Sequence, residues 1–191
     1  TSDLNNLNPE KIKNNPKICW DYKRYLNIWI VENMGNSVST PHYILNTADL
    51  NQIQGVSFEQ LSLEEIEKQE YSLTDIGLIY GARDFAIEDV GYPTQMGKFF
   101  GLLDTENQKE DYCEDTFAYN TYKEPWNTAL EGSNSRLKIS TDGLIFYSVN
   151  IMDASSYKNT ISMDQVKRIR TITDNCPHRW AWKSDWAFTG K

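Results

Sequence analysis

Residues Thr94–Asp104 read TQMGKFFGLLD. Helical spacing puts Thr94 and Lys98 on one face, while Met96, Phe99, Leu102 and Leu103 supply an apolar half that can pack against a core. Gly101 turns the chain, and an acid, Asp104, follows. The pattern predicts a central helix over Thr94 to Phe100 that is anchored by its apolar residues and presents two polar side chains together.

Outward from this helix, YLNIWIVE (Tyr25 to Glu32) alternates with period two, Leu26, Ile28 and Ile30 against Trp29 and Val31, and predicts a strand buried on both faces. Short β-branched and aromatic runs at His42 to Asn46, Ile76 to Gly81 and Leu144 to Asn150 predict further strands of a small sheet. Ser62 with Glu65 and Ser162 with Gln165 are capping-box pairs, in which each side chain satisfies the other's free backbone N–H. They predict a short surface helix after Ser62 and a closing helix from Met163 to Thr173. In the latter Val166 and Ile169 line one face, and Lys167, Arg168 and Arg170 suit the negative end of the dipole. Turn-rich breaks at ENMGNSVSTP, EDVGYP and EGSNSR do not demand independent domains. The expected class is α+β, in one domain over residues 1–191.

The 191 residues, 39% of them hydrophobic, suffice for one core and exclude a disordered chain. A formal net charge of −8 argues against binding to nucleic acid, which needs clustered Lys and Arg. No apolar run is long enough to cross a bilayer, and TSDLNNLNPEK lacks the basic and apolar regions of a signal peptide, so any signal was removed or lies outside the chain. Cys19, Cys113 and Cys176 show no C-x-x-C spacing and read as one pair plus a free thiol.

In the motif H-E-x-x-H, two imidazoles one helical turn apart reach one Zn²⁺, and the Glu takes a proton from the metal-bound water. The longer form H-E-x-x-H-x-x-G-x-x-H adds a glycine turn and a third ligand. TQMGKFFGLLD keeps Gly101 at the turn and has Thr94, Gln95, Lys98 and Asp104 where His, Glu, His and His belong. A threonine hydroxyl is poorly basic, a lysine is protonated near neutrality, and an amide cannot act as general base. The sequence therefore predicts neither zinc binding nor zinc proteolysis, and leaves two placements for the Lys98 ammonium: near the metal position and paired with Asp104, or extended to solvent along its aliphatic stem.

NIMDASSY (Asn150 to Tyr157) resembles the Met-turn of metzincin proteases, with Met152 as the methionine beneath the metal, and ISMDQVKRIR resembles the helix that follows it. LLDTENQKEDYCEDTFAYN and WDYKRYLNIWIVEN resemble segments of the pappalysin/cytophagalysin type, which occurs as secreted or lipid-anchored proteins of Bacteroidetes. The resemblance spans about Ile18 to Arg179. It implies a metzincin-like fold with an upper lobe over about 18–101, a lower lobe over about 102–180 and a Trp-rich tail over 177–191. It also implies an extracytoplasmic location and, with the zinc motif degenerate, a pseudoprotease. Several details come with it. Ala154 stands where the family has an oxyanion-stabilising Tyr, and Asp111 and Thr116 match positions near a structural calcium, with a solvated acidic loop as the alternative. Cys113 matches a cysteine whose usual partner falls around Ser140, where this chain has none. The strand of Gly77, Leu78, Ile79 and Tyr80 would border the cleft and pair with a bound polypeptide. The family's first strand and long helix scarcely fit ahead of YLNIWIVE, so that part is reduced or lies outside the chain.

Two other readings remain open in the sequence. A hydrolase could recruit Asp104, Asp153 or His178 by an unconventional arrangement, although His42 and His178 read better as surface or packing residues. Alternatively Trp180, Trp182, Trp186 and Phe188 form an aromatic platform for a sugar or partner, against the plainer reading that they dock onto the main body.

Overall fold

A computed structural model describes residues 15–31, 43–45, 53–81, 92–105, 110–119, 137–153 and 158–179. Strand β1 (Asn27–Val31) pairs in parallel with a later strand, Gly77–Gly81, from Asn27↔Gly77 to Val31↔Gly81. Between them lie β2 (Tyr43–Leu45) and β3 (Phe58–Gln60), which form a second parallel pair, and helices α1 (Leu63–Lys68) and α2 (Leu73–Ile76). The strand Gly77–Gly81 is thus β4. It is followed by α3 (Tyr92–Phe99), the antiparallel hairpin β5 (Leu137–Ile139) and β6 (Ile145–Tyr147), and α4 (Met163–Asn175). The described residues form an α+β protein in which none of the helices is long and apolar enough to cross a membrane.

The β1–β4 pair organises the region that carries α3. Gly77 lies so close to β1 that a Cβ there would stand 2.4 Å from the Asn27 carbonyl oxygen, so a larger residue would force the strands apart. Asn27 itself is buried at no polar cost, because its amide donates to Trp20 O at 2.9 Å and accepts from Trp20 N at 2.8 Å. Trp29, Leu73 and Ile76 pack as one buried cluster, and Trp29 Nε1 donates to Ile18 O at 3.0 Å, tying the 15–24 segment to the strand. On α3, Phe99 packs with Leu78 and Tyr80 of β4. A third cluster joins Ile53 to Ile172 and Cys176 at the end of α4.

Several expectations need correction. β1 is buried on one face only: Ile28 and Ile30 are 38% and 44% exposed, while Trp29 and Val31 are buried. Its β-branched residues serve strand propensity on the open face rather than packing. The strand read over Leu144 to Asn150 is only Ile145–Tyr147, because the chain breaks from the ladder at Ser148 to form the turn that holds Met152. α4 runs two residues beyond Thr173, so Lys167, Arg168 and Arg170 fall inside the helix and its last turn has no basic residue. All three cysteines are free thiols, not one pair plus one. Cys176 packs with Ile53 and Ile172, whereas Cys113 is held against Asp111. β3, α2 and β5 were not anticipated. His42, Ala154 and the tail from Trp180 lie outside the described residues.

Candidate functional site

Thr94, Gln95 and Lys98 lie on α3, and Asp104 lies just beyond the turn that ends it. Thr94 and Lys98 stand one turn apart, and the way the helix ends brings Asp104 back to Lys98. Gly101 adopts φ 92°, Leu102 N donates to Gly97 O at 2.9 Å, and Gly101 N donates to Lys98 O at 2.9 Å. This is the Schellman pattern, and it needs a left-handed residue that glycine provides without strain. After the reversal, Lys98 Nζ lies 3.0 Å from both carboxylate oxygens of Asp104, the ion pair that was one of the two placements open in the sequence. Both side chains are 29% exposed, so the pair sits in a partly sheltered position.

Thr94 is committed differently. Its Oγ1 donates to the carbonyl of Ile151 at 2.7 Å and accepts from Lys158 Nζ at 2.6 Å. Gln95, in the same first turn, is half-buried. Of the four motif positions, one is a hydroxyl bonded on both sides, one an amide, and the other two an ammonium and a carboxylate that neutralise each other.

Beneath α3 runs the turn Asn150–Asp153. Met152 is 1% exposed, and its sulfur reaches α3 at Gly97, where an added Cβ would lie 2.5 Å from Sδ. The turn is fixed to α4 by a reciprocal amide pair: Asn150 Nδ2 donates to Gln165 Oε1 at 2.7 Å, and Gln165 Nε2 donates to Asn150 Oδ1 at 3.1 Å. Asn150 Oδ1 also accepts from Met152 N at 2.9 Å. Next to it, Thr105 Oγ1 donates to Asp153 Oδ1 at 2.6 Å. The turn is thus held from α3, through Thr94 to Ile151 O, from α4, through Gln165, and from Thr105 after α3, while the second carboxylate oxygen of Asp153 is buried without a hydrogen-bond partner.

Two buried arginines hold the C-terminal end of α3. Arg168 Nε donates to Gly101 O at 2.6 Å and its second arm donates to Gln54 O at 2.6 Å. Arg179 Nε donates to Phe99 O at 2.7 Å, and its guanidinium lies 4.2 Å from the centre of the Phe99 ring. Guanidinium groups suit this place because the last carbonyls of a helix lack internal partners and carry partial negative charge.

The acidic block DYCEDT is folded as a helix clamp. Asp111 Oδ1 accepts from Cys113 N at 3.1 Å, and Oδ2 accepts from the Thr116 hydroxyl at 2.6 Å. Asp111 and Thr116, the expected calcium positions, therefore meet, but as donor and acceptor to each other. Asp115 Oδ2 accepts from Asp164 N at 3.0 Å, while Asp164 Oδ2 accepts from Glu114 N at 3.2 Å. Desolvation raises the Asp115 carboxyl pKa, but hydrogen bonds from the Ser162 hydroxyl and from backbone N–H groups at the start of α4 outweigh it, leaving it below its ordinary value. Burial first, and the Asp111 charge second, push the Cys113 thiol up to about 12, so it is inert near neutrality.

Asp104, Asp153 and His178, the residues offered for an unconventional hydrolase, have different neighbours. Asp104 pairs with Lys98, Asp153 is bonded by Thr105, and the buried His178 ring packs 5.2 Å from Tyr22 and 5.3 Å from Tyr71. Among the described residues no three His, Cys, Asp or Glu side chains gather as metal ligands would. Gly77–Tyr80 lie in β4, hydrogen-bonded along one edge to β1. Gly97, Lys158 and Arg179 are site residues that the sequence did not single out, and Arg168, expected only to suit the helix dipole, bonds the end of α3 instead. A glycine inside an apolar-faced helix was a signal for Gly97, whereas nothing local marks Lys158 or Arg179 as partners of α3. Comparison of the chain with protein-family models, with curated proteins and with solved structures found no match in any of the three.

Proposed function

We propose that this chain is a catalytically inactive metalloprotease homologue, a metzincin-like pseudoprotease of pappalysin type, that holds a polypeptide in its former active-site cleft outside the cytoplasm. The observation that carries the reading is the Lys98–Asp104 pair at 3.0 Å, at two positions where the resemblance expects zinc ligands. An ammonium there supplies positive charge from the protein itself and repels a dication. The hydroxyl of Thr94, engaged with Ile151 O and Lys158, is a poor ligand, and Gln95 has no basic atom for activating water. Met152 packed under Gly97 of α3 supports retention of the turn for its packing, since a thioether fills irregular space between elements.

A bound peptide would add to the sheet at β4, over Gly77, Leu78, Ile79 and Tyr80, by main-chain hydrogen bonds. The net charge of −8 disfavours a nucleic-acid ligand. Asp111 and Thr116, joined by a hydrogen bond at 2.6 Å, are the residues that would contribute to a calcium site.

The test is elemental analysis of protein purified without chelator, combined with a peptide-library cleavage assay. The expected result is zinc well below one equivalent and no cleavage. Stoichiometric zinc, or cleavage abolished by chelator, would reverse the assignment. The same library, read for binding by fluorescence anisotropy, tests whether the cleft holds a peptide.

A further inference from the structure

At the opposite end of α3 from Thr94 lies a pocket of ≈150 Å³ that the reading above does not use. Its deepest lining residues are Ile76, at the end of α2, Phe99, at the end of α3, and His178, exposed by 1%, 2% and 2%. Tyr22 and Phe100 add ring surface to its walls. Tyr25 and Leu26, each 38% exposed, stand where the pocket opens to solvent.

We propose that this pocket is a binding site for one neutral aromatic ring, of toluene or p-cresol size, taken as a free small molecule. Three observations carry it. The volume is that of apolar cavities that stay dry and accept a single benzene ring, about 150 Å³, and it is too small for a fused multi-ring ligand. The walls are largely aromatic, so an entering ring can make the offset and edge-to-face contacts that add to simple burial. The Tyr22 and His178 rings already pack in this way, at 5.2 Å and 73°. Finally, the one arginine in the lining, Arg179, is already bonded to Phe99 O and laid over the Phe99 ring, so the wall surface left for a ligand is mainly apolar and suits a neutral ring. Because none of Thr94, Gln95, Lys98 and Asp104 lines the pocket, this site stands or falls independently of the pseudoprotease reading.

The experiment is an NMR titration of the whole chain with toluene and with p-cresol, observed at the aromatic resonances, in the native protein and in Leu26→Trp. Leu26 is at the exposed side, so a larger side chain there fills the opening without entering the core. The expected result is saturable shifts of the Tyr22 and Phe99 resonances, weakened about tenfold or more in Leu26→Trp at an unchanged melting temperature. If Leu26→Trp lowers the melting temperature, Leu26→Phe provides the same comparison with less added bulk. No saturable shift up to the solubility limit, or equal binding in the filled variant, overturns the proposal. Tighter binding of N-acetyl-phenylalanine amide than of toluene would assign the pocket to a peptide side chain and overturn the free-ligand assignment.

Discussion

Gly97 shows how one position in the motif helix is decided by a partner distant in sequence. In an isolated helix, alanine is favoured over glycine by about 1 kcal/mol. Here the added methyl would stand 2.5 Å from Met152 Sδ and 3.3 Å from both Ile151 Cδ1 and Leu102 Cδ1. Met152 is 1% exposed, so its thioether can yield only by displacing other core atoms. Overpacking of a filled core opposes stability by about 1–3 kcal/mol, which outweighs the helix gain. Gly97→Ala is thus expected to lower unfolding free energy by about 1 kcal/mol in urea denaturation. In a Met152→Ala background the same substitution should be neutral or stabilising, because the methyl then enters a cavity. Equal effects in both backgrounds would mean that the two residues do not meet.

At the scale of elements, α4 is capped twice. Its own Ser162–Gln165 box satisfies early backbone donors, with Ser162 Oγ accepting from Gln165 N at 3.2 Å and Gln165 Oε1 accepting from Ser162 N at 2.9 Å. Asp115 from the DYCEDT block adds a carboxylate at the positive end of the dipole. Since its folded pKa lies below the ordinary 3.8, its contribution is present above that value and is lost as pH falls through the depressed folded value. Asp115→Ala should therefore destabilise the protein by about 0.5 kcal/mol at neutral pH, the worth of a solvent-screened carboxylate at a helix N-terminus. The gap between variant and native protein should shrink once pH falls below the ordinary carboxylate range, measured by urea unfolding across pH. A gap that stays constant with pH would rule out the carboxylate charge as its source.

At the scale of the whole molecule, Arg168 links three regions: it rises from α4, bonds the end of α3 at Gly101 O and reaches the 53–55 turn at Gln54 O. The thiols report on the same assembly. Cys113 and Cys176 are buried and Cys19 is half-buried, so in native protein at pH 8 a thiol reagent should label Cys19 alone, and in denaturant all three, as read by mass spectrometry. Detection of fewer than three reactive thiols in denaturant without reductant would reveal a disulfide and overturn the free-thiol assignment. Rapid native labelling of Cys113 would contradict both its burial and its raised pKa of about 12.

What the sequence determined by itself is local. Both capping boxes, α3, most of α4, the β1 and β4 runs and the turn at Gly101 were legible because each depends on side chains within a few residues reaching nearby backbone groups. The Lys98–Asp104 pair was legible for the same reason, since a helix end and one glycine set its geometry. Tertiary structure alone decided the rest. It exposed Ile28 and Ile30, set the acidic block against the start of α4, and brought Lys158 to Thr94 and Arg179 to Phe99. Those contacts join residues 49 to 80 positions apart, where no local periodicity carries the information. They form because packing brings a carbonyl, a hydroxyl or a carboxylate within reach of a donor distant in sequence, and only the packed chain determines which donor that is.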